Sequence, residues 1–317
     1  MYQLKNYLIL FIKGIAMGTA NIIPGVSGGT IALITGIFER LINALKNFNT
    51  QAFRLLGGGK WKEFAQHIDL YFLLAIFAGV GIALISLARI FDFLFSEYPV
   101  FIWSYFFGLV MASVYFVGKT VSRWTIPVYI SFVAGVVIAA GLTFLNPATE
   151  NSGFLYLILC GVVAVCSMIL PGLSGSFVLI LMGNYQLVAI DAINDRDVGI
   201  LLPVLIGAVF GLLAFSHFLS WLLKKYKPET IAVLTGFILG SLSILWPWKE
   251  AVHMKNASGE LLIKDGAPVV ERYMVSLPEA FNTEVMLAMV IMIAGIATIW
   301  IIESLAKPSQ KKTKPNS

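Results

Sequence analysis

Charge is scarce in this sequence. Only 12% of its 317 residues are Asp, Glu, Lys or Arg, whereas 58% are hydrophobic, and mean hydropathy is +0.86. A soluble globule carries about twice that share of charge, so an ordinary water-soluble domain is excluded. Histidine is scarcer still: His67, His217 and His253 are far apart, which argues against a metal cluster. No close pair of carboxylates stands inside an apolar run, so hydrolysis has no visible machinery and the chain reads as a non-enzyme without a cofactor. The only two cysteines, Cys160 and Cys166, lie in an apolar segment without CxxC spacing and read as packing residues. The net charge of +5 sits largely at the ends of apolar runs and in the tail KPSQKKTKPNS. Membrane orientation and anionic headgroups account for it, so nucleic acid is not expected as a partner.

What the chain has in abundance is long apolar runs. Six of them are centred near residues 82, 110, 135, 211, 238 and 295, and each reaches the roughly 20 helical residues that cross a hydrocarbon core. Spans are predicted near 70–96, 100–119, 126–145, 200–223, 229–247 and 285–304. The short run from Tyr7 to Ile12 is interrupted by Lys13, which makes a poor cleavable signal, and the N-terminus is read as retained. Lys and Arg cluster between Arg40 and Lys62, at Lys119 and Arg123, at Lys224, Lys225 and Lys227, and in the tail 307–317. By the positive-inside rule these segments and both termini face the cytoplasm. The outer loop 249–283 carries two turn-like stretches, NASGE and KDGAP, between short apolar runs and reads as a small β-hairpin.

Two further apolar segments are interrupted by helix breakers: TANIIPGVSGGTIALITG from Thr19, and SMILPGLSGSFVLILMG from Ser167. The charge map closes only if each leaves the membrane on the side it entered. Between Lys13 and Glu39 lie 25 uncharged residues, about 37 Å of helix, enough to pass the midplane and return but not to cross twice. The first segment, 5–46, is therefore expected to be a re-entrant hairpin. The second, 154–190, is longer and is read as re-entrant by analogy. A shift of 147 aligns Gly14 with Gly161, Pro24 with Pro171, Ser27 with Ser174 and Gly36 with Gly183, and a shift of 128 aligns Gly79 with Gly207 and Gly108 with Gly236. The chain thus divides into repeat 1 (1–147) and repeat 2 (148–306), each one hairpin plus three spans. An odd number of crossings turns the second repeat upside down relative to the first. The expected fold is all-α, polytopic and built of inverted repeats.

Unwound backbone in a membrane is tolerated only where protein buries it or a wet cavity meets it. Asn21, Pro24, Gly25, Ser27, Gly28, Gly29 and Thr30, with Pro171, Gly172, Ser174, Gly175 and Ser176, are therefore candidate ligand-binding residues. Ser27 and Ser174 stand at N-cap positions ahead of half-helices beginning near Gly28 and Gly175, so two positive helix ends point toward the bilayer centre. Such ends favour an anion, phosphate among them. The competing reading is a tight hairpin that serves helix packing. Arg89 and His217 are equivalent under the 128 shift and lie inside their spans, where a charge needs a partner or water. Arg89 either meets the ligand, pairs with Asp92 or snorkels; His217 either meets it or packs as a neutral ring. Lys13 either snorkels or reaches the ligand, and Glu39 and His217 are candidates for carrying a coupling proton.

The stretches GTANIIPGVSGGTIALITGIFERLI and LPGLSGSFVLILMGNYQ, with the two-half layout, resemble the bacterial polyprenyl-phosphate transporter family. The resemblance covers nearly the whole chain. It implies a plasma-membrane flippase that returns undecaprenyl phosphate, the lipid carrier of cell-wall precursors, from the outer to the inner leaflet. The resemblance carries over only the two glycine-rich motifs; for such a cargo the path expected from the residues themselves keeps the isoprenoid tail in lipid while Arg89 receives the phosphate, the Ser27 and Ser174 helix ends hold it, and His217 with Lys13 accepts it inward. Moving an anion inward opposes an inside-negative potential by about 2.3 kcal/mol per charge per 100 mV, so coupling to H+ or Na+ is expected. An ion or small-anion channel or exchanger on the same hairpins is the alternative.

Overall fold

The computed structural model describes residues 2–22, 27–145, 147–253, 263–264, 267–268, 270–278 and 280–306. In chain order the helices are α1 (Tyr2–Ile22), α2 (Gly28–Ile34), α3 (Phe38–Lys46), α4 (Thr50–Gly57), α5 (Trp61–His67), α6 (Leu70–Glu97), α7 (Pro99–Gly118) and α8 (Ile126–Leu142). There follow α9 (Phe154–Ile169), α10 (Gly175–Leu181), a π-helical turn (Gln186–Asp191), α11 (Ala192–Asn194), α12 (Val198–Lys225), α13 (Lys227–Gly240) with a 3-10 extension (Ser241–Leu245), and α14 (Thr283–Ala306). Among the described residues α6, α7, α12, α13 with its extension, and α14 are long and apolar enough to cross a membrane. Helix α8, with 17 residues, is a shorter apolar helix at the low end of the spanning range. Ile85, Phe144 and Leu155 are 84%, 83% and 78% exposed, a surface that suits lipid and not water. The protein is a multi-pass membrane protein.

Backbone-close packing sets the helix pairs. A Cβ on Gly14 would lie 2.2 Å from the Ile76 carbonyl oxygen, and one on Gly18 would lie 2.7 Å from that of Val80, so α1 runs alongside α6 in the same direction. Tyr7 meets Tyr71 at the start of α6, with ring centroids 6.4 Å apart. Gly18 reaches the level of Val80 and Ala83, midway along it. From there the chain returns: α2 and α3 are bent by 118°, and Arg40 of α3 pairs with Asp69 at 2.6 Å, its guanidinium 4.3 Å over Phe72. The chain is back at the end of α6 from which it set out.

The same pattern recurs in the second half. Gly161 of α9 packs against the Val204 carbonyl of α12, and the Cys166 thiol reaches Gly211 at 3.9 Å, midway along α12. After α10 the chain returns to the start of α9, where Asn184 donates to the Asn151 carbonyl at 2.8 Å and Ala148 N–H donates to Leu181 at 2.8 Å. The turns after α2 and α10 use Gly36 and Gly183, both at φ +72°, a conformation that costs glycine least. Glu39 pairs with Lys227 at 2.6 Å and Ser220 donates to Asn43 at 3.0 Å, so the end of α12 lies beside α3.

The third helix of each half crosses over to the other half. Gly108 of α7 packs on Met292 of α14, and Gly236 of α13 packs on Phe132 of α8, each with less than 2.5 Å between the glycine's would-be Cβ and a backbone oxygen. The buried core joins both halves through Phe38, Ile42, Phe72, Ile76, Leu234 and Ile238, among others. In the loop after α13, β1 (Lys249–His253) pairs antiparallel with β4 (Val270–Val275), enclosing a shorter pair of β2 (Ile263–Lys264) and β3 (Ala267–Pro268).

Candidate functional site

Both interrupted segments end one helix and start another of seven residues. In the first, Pro24 and Gly25 lie outside the described residues. Ser27 takes the N-cap position of α2 in extended conformation, and its hydroxyl accepts from Gly29 N–H at 3.1 Å. The Asn21 side-chain oxygen accepts from Gly28 N–H at 2.7 Å, and Thr30 N–H donates to the Ser27 carbonyl at 2.9 Å. All three leading amides of α2 are therefore satisfied from within the chain, as a buried helix end requires.

The second segment is built alike but capped differently. Ser174 takes the N-cap position of α10 in extended conformation, but its side chain makes no capping bond. Its hydroxyl pairs instead with that of Ser176 at 2.7 Å. The amides of Gly175, Ser176 and Phe177 have no hydrogen-bond partner among the described residues. At the first amide the difference traces to one position. Where the first half has Asn21, the 147 shift places Met168 in the second, and a thioether does not replace an amide oxygen as an acceptor. Gly175 packs on Met168 as Gly28 packs on Asn21.

The two motifs touch. Ser27 donates its hydroxyl proton to the Met168 carbonyl at 3.0 Å, and Gly172 N–H donates to the Thr30 hydroxyl at 3.0 Å. A Cβ on Gly29 would lie 2.5 Å from the Ile169 carbonyl oxygen, so only glycine fits there. Gly172 has φ +81° and presses on the Phe237 carbonyl of α13, so both its conformation and its surroundings exclude a side chain. Ser27 and Thr30 are 2% and 1% exposed, and Pro171 is buried, whereas Ser176 opens to the surface.

Other candidates are elsewhere. Lys13 donates to the Thr35 carbonyl at 2.7 Å, closing the C-terminal end of α2 instead of reaching the motif. Glu39 is engaged with Lys227. His217 is exposed, and its Nδ1 lies 2.8 Å from the Leu213 carbonyl of its own helix. Arg89 is carried by α6, with its side chain outside the described residues, as is that of Asp92. Sequence reasoning missed Met168 and Ile169, whose carbonyls receive the first motif; the 147 register offered Met168 as Asn21's counterpart. It also missed Lys249, whose ammonium lies 3.8 Å over the Trp103 ring and donates to the Ile244 carbonyl. Burial lowers its pKa to about 8.

Comparison with known proteins places this arrangement in a family. The chain is 38% identical over 306 residues to a polyprenyl-phosphate transporter of Vibrio cholerae, covering 95% of this chain and 98% of that one. It is 30% identical over 264 residues to a polyprenyl-phosphate transporter of Staphylococcus aureus, covering 78% of this chain and 88% of that one. No solved structure matches it. The sequence model of the VCA0040-like family, described as undecaprenyl phosphate translocase-like, matches residues 17–262, including both motifs, and the chain belongs to that family.

Proposed function

We propose that this protein carries a polyprenyl phosphate, undecaprenyl phosphate in particular, from the outer to the inner leaflet of the bacterial plasma membrane. The phosphate head passes the junction of the two PGxSG motifs while the isoprenoid tail stays in lipid. The observation that carries the reading is the buried meeting of the motifs, with two hydroxyls and three amides that have no partner among the described residues at the second of them. Preorganised N–H donors at a helix start suit an anion, which faces a prohibitive penalty in bare hydrocarbon. Names borne by the two relatives support the lipid as cargo.

In this reading each broken segment is a re-entrant hairpin and the two halves are inverted repeats. The return of each hairpin to its starting end, and the contact of α3 with the far end of α12 and the start of α13, support both points. Ser174, Ser176 and the amides of Gly175 to Phe177 receive the phosphate first. The first motif is closed, with Asn21 occupying on the Gly28 amide the place a phosphate oxygen takes; it joins when Asn21 moves aside. Inward movement is driven by a proton or a sodium ion, with Glu39 and His217 as the candidate proton carriers.

The test is translocation of labelled polyprenyl phosphate in liposomes, read by accessibility to an external phosphatase. Wild-type protein is expected to move the lipid, and the Ser174→Ala/Ser176→Ala protein to do so at least tenfold more slowly. Equal rates would remove the second motif from the path. A wild-type rate indifferent to imposed pH and sodium gradients would remove the coupling.

A further inference from the structure

Between the C-terminal end of α7, the first half of α8 and the second half of α13 lies a cavity of about 340 Å³ lined by none of the motif residues. Its size falls in the range of ligand pockets, about 300–1,000 Å³. Its walls are apolar. Trp124 and Phe132 stand edge to face with centroids 5.7 Å apart, and Val114 and the exposed ring of Tyr115 complete one side. Thr235 is buried and spends its hydroxyl on the Ile231 carbonyl at 2.7 Å. Its methyl group is what lies near Gly118, 3.6 Å from where a Cβ would stand, with Trp124 at 3.8 Å. The space exists because position 118 has no side chain.

One charge stands at this slot. Lys119 lines it, is exposed, and forms no ion pair among the described residues; Arg123, four residues on, is likewise exposed and unpaired. An apolar slot with an ammonium at its rim selects an apolar chain that ends in an anion. The slot and the motif junction share helix α13: Thr235 lines the slot, and the carbonyl of Phe237, two residues on, packs on Gly172. The basic turn Lys119 to Arg123 marks this end of α7 as cytoplasmic by the positive-inside rule.

We infer that this slot is the inner-leaflet binding site for the transported lipid, holding the phosphate-proximal isoprene units against Trp124 and Phe132 with the phosphate on Lys119. The inference rests on the proposed function, of which it names the delivery end. A single-chain occupant is favoured over a two-chain phospholipid because one apolar slot and one rim cation match one tail and one phosphomonoester.

The experiment uses the full chain in phosphatidylcholine vesicles and a polyprenyl phosphate with a diazirine on its first isoprene units. Photolabelling is expected on Tyr115, Trp124 or Phe132. Unlabelled polyprenyl phosphate should displace the probe, whereas phosphatidylglycerol and the phosphate-free polyprenol should not. Lys119→Gln is expected to weaken displacement about tenfold, the scale of one charge-assisted contact. Gly118→Leu should abolish labelling by filling the slot, and Lys119→Gln, a surface change, serves if that variant does not fold. Absence of label in the slot, or equal displacement by phosphatidylglycerol, overturns the inference. The Ser174→Ala/Ser176→Ala protein separates the two claims: it should lose transport yet keep the label. Transport lost with no slot labelling even in wild type refutes the slot alone, and slot labelling without wild-type transport refutes the transport reading.

Discussion

Thr30 and Gly172 show how single groups join the two motifs. The Thr30 hydroxyl accepts the Gly172 amide in a fully buried setting, so Thr30→Val leaves that amide without a partner. A loss of about 1–3 kcal/mol is expected, read as a lower thermal midpoint in detergent, and Thr30→Ser should recover most of it. Lys249 makes a second prediction. Burial lowers its folded-state pKa to about 8 from the ordinary lysine value of 10.5. Between those values the unfolded chain binds the proton more tightly, so stability rises with pH through that window. Thermal midpoints from about pH 7 to about pH 10.5 should show wild type gaining relative to Lys249→Met, with most of the gain above about pH 8. At this scale the sequence disclosed which residues matter more readily than what they touch. Ser27 and Gly28 stood out as breakers in an apolar run. That Asn21 covers the Gly28 amide, and that Lys13 holds the Thr35 carbonyl, depends on α2 folding back along α1, which residue identity does not encode.

Glycines set the distances between helices. Gly236 is expected to tolerate nothing larger, because a Cβ there would stand 2.2 Å from the Phe132 carbonyl oxygen. Gly236→Ala should cost about 1–3 kcal/mol by forcing α8 and α13 apart. Gly141, near the end of α8, has open space around its would-be Cβ. Gly141→Ala should be neutral or stabilising by up to about 1 kcal/mol through helix propensity alone. The pair of thermal midpoints separates close approach from propensity. Apolar length made the helices themselves readable, and the recurrence of PGxSG marked where α2 and α10 start. The π-helical turn after α10 and the 3-10 extension of α13 were not readable, since both are local adjustments to packing that leave no period in the sequence.

At the scale of the whole molecule, the contacts between residues 1–147 and residues 148–306 were the least visible part of the sequence. Internal similarity at shifts of 147 and 128 related the halves, but similarity between two segments does not state that they touch. The Glu39–Lys227 pair ties α3 to α13 with both side chains about half exposed, so a double-mutant cycle with Glu39→Lys and Lys227→Glu should give a coupling of at most about 1 kcal/mol. The central claim is that the two motifs meet and that the cargo passes their junction. It is tested most directly by placing cysteines at Ser27 and Met168 in a protein whose Cys160 and Cys166 are replaced by alanine, and measuring lipid translocation before and after cross-linking. Cross-linking is expected to form readily and to stop translocation, with reduction restoring it. A pair that does not cross-link, or a cross-linked protein that transports at the uncross-linked rate, would contradict the account.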